Sequence, residues 1–168
     1  METKEIRVMR VRRYSLVSAK KFDEVVAAFE SRLAKPDMKA LWQAMTTART
    51  GGDLRRVVET AMGEFDFILF ARMDMGSVIT KEGRSVRCYR FILGNPVIMR
   101  EMAKNVIDAA SYAPVTVLID EREDGTHLSY DLMADYLLPY ENADASRAAR
   151  ELDEKVEKLM EDATESAR

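Results

Sequence analysis

Apolar positions along the chain follow two spacings, and the change between them divides it in half. In "EIRVMRVRRYSLVS" β-branched and aromatic residues mix with arginine, which predicts a half-exposed strand. Phe22, Val25, Val26, Phe29 and Leu33 then recur at steps of three and four, predicting a helix capped by Ser18 and ended by Lys35-Pro36. A second short helix follows, with Asp37 as cap and Met38, Leu41, Trp42 and Met45 as its apolar stripe. Gly51-Gly52 breaks the chain, and Asp53 is placed as cap of a third helix with Leu54, Val57, Val58, Ala61 and Met62 inward.

The second half returns to strand patterns. "FDFILFARM", "RSVRCYRFIL", "PVTVLIDE" and "HLSYDLM" are predicted strands, and the last two flank "REDGT", where Asp124-Gly125 marks a hairpin. Between them "GNPVIMREM" opens a helix over 95–111 whose inward face is Ile98, Met102, Val106 and Ile107. The last helix, over 143–165, carries a narrow stripe of Ala145, Ala149, Leu152, Val156, Leu159 and Ala163, with Glu151–Lys155 and Glu154–Lys158 at favourable i,i+4 spacing. These elements predict an α+β fold, with a mostly antiparallel sheet of about five strands backed by helices. Residues 1–140 form one domain with a helical insertion at 35–64. Residues 141–168 form a charged helix packed on that domain or on a partner subunit.

Composition narrows the function classes. Of 168 residues, 47% are hydrophobic and 33% charged, with a net charge of −3, so no general attraction to nucleic acid or anionic membrane is expected. No apolar run reaches the length of a membrane span, and the amino terminus lacks a signal-peptide core. Cys88 is the sole cysteine, which excludes an internal disulfide and suits a reducing, cytoplasmic location. His127 is the sole histidine, so no multi-histidine metal site exists, and no metal or cofactor is expected.

Gly94-Asn95-Pro96 carries two meanings. Structurally, Gly permits a sharp turn, Asn caps a helix, and Pro fits its first position. Functionally, a helix start presents free N–H groups to a phosphate or carboxylate. No phosphate-loop or dinucleotide motif accompanies the triplet.

"FDEVVAAFESRL", "CYRFILGNPVIMREM" and "APVTVLIDEREDGTHLSY" together resemble the domain-of-unknown-function family 302, over roughly residues 6–34 and 65–133. The resemblance implies a compact α+β domain, an antiparallel sheet backed by helices and a homodimer; it implies no activity. The cysteine that usually precedes Asn-Pro in that family is absent, residues 35–64 stand as an insertion, and the tail beyond residue 140 stands as an addition.

His127, Ser129 and Asp131 share one face of a strand, but neighbours at i,i+2 lie about 7 Å apart, too far for a nucleophile–base pair. Cys88 reads as a small buried hydrophobe, and the methionines as core filling. The arginines are more informative. Arg7, Arg10, Arg12 and Arg13 crowd the first strand, and Arg72, Arg87 and Arg90 lie on two others. They either recognise an anion or pair with the acidic tail. The leading expectation is a homodimeric domain that binds a small anionic or aromatic ligand between the sheet and the 95–111 helix. Gly94, Asn95 and Pro96 would contact it through the backbone, and Arg72, Arg90 and His127 through polar groups. One alternative is a cofactor-independent enzyme using His127 or Tyr89 as a lone acid or base; another is an association module built on the 143–165 helix.

Overall fold

The computed structural model describes residues 4–80, 83 and 85–165. A five-stranded, wholly antiparallel sheet runs in the order β1-β5-β4-β3-β2. Its strands are β1 (Arg13–Ser18), β2 (Ile68–Asp74), β3 (Cys88–Gly94), β4 (Val115–Arg122) and β5 (Gly125–Asp131). The helices are α1 (Phe22–Glu30), α2 (Met38–Thr47), α3 (Gly51–Met62), α4 (Met75–Ile79), α5 (Pro96–Ala103), α6 (Ala109–Tyr112), α7 (Met133–Leu137) and α8 (Ala143–Thr164). No described helix is long and apolar enough to cross a membrane.

Alternation of side chains gives the sheet two unlike faces. Cross-strand pairing sets Tyr14, Tyr130, Val117 and Phe91 in one row facing the helices. That face packs with α1, α5 and α8 into the main core, where Phe22, Phe29, Phe91, Met102, Tyr130 and Val156 are all fully buried. Each such large side chain removed from water contributes about 1.5–3 kcal/mol. The opposite row is Ser15, Ser129, Leu118, Arg90 and Met73, each exposed or half-buried, and among the described residues no helix layer covers it.

The α2–α3 pair builds a smaller core around Leu41, Val58, Met62 and Ile68, and it lies against α5 through Val97 and neighbours. Its caps follow physical rules with one shift from expectation. Asp37 accepts from Lys39 N and Ala40 N, as predicted. Thr50, however, caps α3, and Asp53 closes a capping box from the third position. Ser18 is not the cap of α1, which starts at Phe22; its Oγ accepts from Lys20 N at 3.2 Å.

Two strand and helix lengths also differ from expectation. The first strand contains only Arg13 of the four arginines, because ladder pairing to β5 begins there. The 95–111 helix breaks after Ala103 and resumes as α6, which leaves Val106 buried but Ile107 77% exposed. At the β4–β5 turn Gly125 takes φ +141°, a conformation that favours glycine, so the hairpin forms where Asp124-Gly125 placed it.

α8 lies on α1, α5 and α7, and its whole alanine–leucine stripe is buried within the chain. Lys155 reaches Asp66 rather than Glu151, and Lys158 pairs with Asp162 rather than Glu154. Beneath α8, Asp153 is buried and accepts from Tyr130 OH (2.7 Å), Met133 N (2.7 Å) and Ala134 N (3.0 Å). It thereby caps the start of α7, whose own preceding residue, Leu132, has no capping side chain. Burial raises the Asp153 carboxyl above the usual range, although the three hydrogen bonds oppose that shift.

Candidate functional site

The β3–α5 junction folds as its residue types require. Asn95 Oδ1 accepts from Val97 N (3.0 Å) and Ile98 N (3.2 Å), while its Nδ2 donates to the Asp66 carbonyl at 3.0 Å. Both ends of the side chain are therefore spent on structure. Pro96 occupies the first turn of α5, and Gly94 has no room to spare: a Cβ there would sit 3.2 Å from Phe70 Cε2 and 3.4 Å from Pro114 Cβ. The free N–H groups that favour an anion are thus already capped by Asn95.

What the junction does supply is the floor of a cavity of about 490 Å³. Gly94, Asn95 and Pro96 form its base; Trp42, Met45 and Leu54 close it from α2 and α3, and Phe70, Met99 and Leu152 from β2, α5 and α8. Trp42 was placed in the inward stripe of α2, yet it is 63% exposed while Leu41 is buried. The indole stands over the cavity because the stripe turns toward the small core at Leu41, one residue earlier.

The arginines predicted to join this site do not. Arg72 points to the helix face, where it bonds Glu30 Oε2 at 2.6 Å and stacks 4.6 Å from the Tyr89 ring. Arg90, the residue immediately after Tyr89, points to the opposite face of β3. There it lines a second cavity of about 510 Å³, together with Arg13, Tyr112, Tyr136 and Asp131. The two cavities meet only at Pro114 and Val115.

His127 Nε2 lies 2.8 Å from Asp124 Oδ1, at the tip of the hairpin. Ser129 and Asp131 share its face but not its bonds, because Asp131 is held by Arg13 at 2.6 and 2.9 Å. Tyr89 is sandwiched near Phe22 (5.4 Å) and Phe91 (6.5 Å), and neither it nor His127 lines either cavity. Cys88 is buried, and desolvation pushes its thiol up, away from reactivity. No group of three or more potential metal ligands occurs among the described residues.

Nor, among the described residues, do Arg12, Arg13, Arg72 or Arg87 pair with the acidic tail. Arg12 holds the buried Asp135 through Nε (2.9 Å) and Nη2 (2.8 Å), and Arg87 takes Asp23. The Arg12 guanidinium keeps the Asp135 carboxyl below the usual range. Sequence reasoning foresaw neither the pairing of Asp135 nor the burial of Asp153, and it missed the stacked pair Tyr112–Tyr136, whose rings lie 5.0 Å apart at 22°. Asp153 left one trace: it follows Leu152 and stands four residues after Ala149, on the flank of the predicted stripe.

Comparison with known proteins matches this arrangement to one family. A solved structure, an uncharacterized conserved DUF302 protein from Bacillus stearothermophilus, superposes with a TM-score of 0.63 over 90% of this chain and 97% of that one, at 7% identity. At that identity the likeness concerns the fold. No curated protein matches the chain. The family model described as "Domain of unknown function DUF302" matches residues 44–163, a span that takes in α3 and nearly all of α8, so the C-terminal helix falls inside the family's range rather than beyond it. The chain therefore belongs to the DUF302 family.

Proposed function

We propose that this chain is a ligand-binding domain that holds a small apolar, aromatic-sized molecule in the cavity over Gly94-Asn95-Pro96. The observation that carries this reading is the cavity itself. Its size suits one small ligand, and its walls from α2, α3, β2 and α5 present apolar side chains while the polar atoms of Asn95 are occupied. Of the two ligand chemistries expected from the sequence, the aromatic one fits this lining. The buried Cys88 suits a reducing compartment, and we assign the role to the cytoplasm. We include a homodimer in the proposal. Its support is the unpaired outer edge of β1 and the adjoining arm, where Ile6 and Val8 are 93% and 77% exposed.

Trp42 is the chain's only tryptophan, so the site carries its own reporter. Titration with the neutral dye N-phenyl-1-naphthylamine is expected to quench Trp42 emission and saturate at one dye per chain. Thr46→Phe from one wall, or Ala110→Phe from the other, is expected to abolish the effect with the circular dichroism unchanged. An unsaturable signal, or equal binding in both variants, overturns the reading. Light scattering tests the dimer: a two-chain mass supports it, and a single-chain mass removes it.

A further inference from the structure

We propose that the cavity on the uncovered sheet face is a separate site for a planar carboxylate, with Arg90 as the group that binds the anion. Arg90 sits in the middle of β3, and its cross-strand neighbours are Leu118 on β4 and Met73 on β2. It is a cation flanked by two apolar neighbours. Its guanidinium has a single side-chain contact, a 3.2 Å bond to Thr116 Oγ1, and no carboxylate partner among the described residues. Arg72, Arg87, Arg12 and Arg13 each hold a carboxylate within the chain, so Arg90 differs from them in the same sheet region.

The rest of the cavity fits an anion with a flat body. Asp131, the one carboxylate on its wall, is neutralised by two bonds from Arg13 and does not oppose a second acid. Across the cavity Tyr112 and Tyr136 stack on each other and offer a rigid aromatic wall. Tyr112 is fixed further by its hydroxyl, 2.8 Å from that of Tyr140, which donates to Asp108 at 2.7 Å. A guanidinium matches a carboxylate through two parallel N–H bonds, and the tyrosines match an arene or conjugated chain attached to it. The volume of about 510 Å³ admits a body of two fused rings.

The probe is 2-naphthoate, followed by calorimetry against the full-length protein, with 2-naphthamide as its uncharged counterpart and inorganic phosphate as the competing anion. Arg90 is exposed, so Arg90→Gln is expected to fold normally. Naphthoate binding is expected to weaken about tenfold or more in Arg90→Gln and to persist in Thr46→Phe, which blocks only the apolar cavity. Naphthamide is expected to bind weakly and to ignore Arg90→Gln, and phosphate not to displace naphthoate. Equal naphthoate binding in Arg90→Gln, loss in Thr46→Phe, displacement by phosphate, or no binding to the wild-type protein overturns the proposal. Because Thr46→Phe reports on the apolar cavity alone, failure of one site is distinguishable from failure of the other.

Discussion

The two cavities lie a few residues apart along β3 and differ in nearly every physical respect. One is roofed by Trp42 and lined by methionine, leucine and phenylalanine; the other carries two guanidinium groups, a carboxylate and a tyrosine pair. The cause is the pleat. Successive residues of β3 point to opposite faces, so Arg90 cannot reach the side that Phe91 occupies. The α2–α3 pair then covers the end of the sheet where β3 turns at Gly94, adding apolar side chains on that side. Proximity along the chain therefore says little about shared function in a strand, and a site must be assembled by face.

Removing Asp153 breaks the comparison most severely, because it supports the α7 wall of the polar cavity from beneath. Asp153→Ala leaves the Tyr130 hydroxyl and the Met133 and Ala134 N–H groups without their acceptor, and is expected to cost about 3 kcal/mol in urea unfolding. A loss under about 1 kcal/mol would show that α7 does not depend on this cap. Gly94→Val acts on the other side. Its methyl groups press on Phe70 and Pro114, for an expected cost of about 1–3 kcal/mol. It should abolish dye quenching of Trp42 and weaken naphthoate binding at Arg90 far less, Pro114 being one of the two residues the cavities share.

A smaller effect separates the cavities by pH. The Asp135 carboxyl, next to the Tyr136 wall, is held low by Arg12, so its contribution to stability is present above the unfolded value of about 3.9 and is lost as pH falls through its lower folded value. Asp135→Asn is accordingly expected to lower the melting temperature at neutral pH, with the difference from wild type vanishing in strong acid. A difference that persists unchanged into acid would contradict the ion pair. Smallest of all, Arg90→Gln should leave stability within about 0.5 kcal/mol of wild type, since Arg90 holds no internal partner beyond Thr116.

Much of this architecture was legible because its signals are local. The stripe from Phe22 to Phe29, the Asp37 cap, the Asn95–Pro96 start of α5 and the Asp124-Gly125 hairpin each depend on a few neighbouring residues, and each formed where the pattern placed it. The turn at Gly94 that leads into α5 was legible for the same reason. The grouping of Arg72 and Arg90 with that base was not, since it depends on which face of the sheet the helices cover. Asp153 was equally hidden: a charged residue beside a helical stripe reads as solvated until Tyr130 and the start of α7 arrive from elsewhere in the chain. The break after Ala103 also eluded the pattern, because Ile98, Met102 and Val106 keep helical spacing through it and only Ile107 swings out.

The most direct test of the central claim, that the cavity over Gly94–Pro96 holds a small apolar molecule, is a carbon–proton NMR spectrum of methionine methyl groups during addition of naphthalene. Met45 and Met99 line that cavity, Met133 lines the polar one, and Met73 stands on the uncovered face. The account predicts saturable shifts of Met45 and Met99 with Met73 and Met133 unmoved. Shifts confined to Met133 and Met73, or no saturable shift at any methionine, would contradict it.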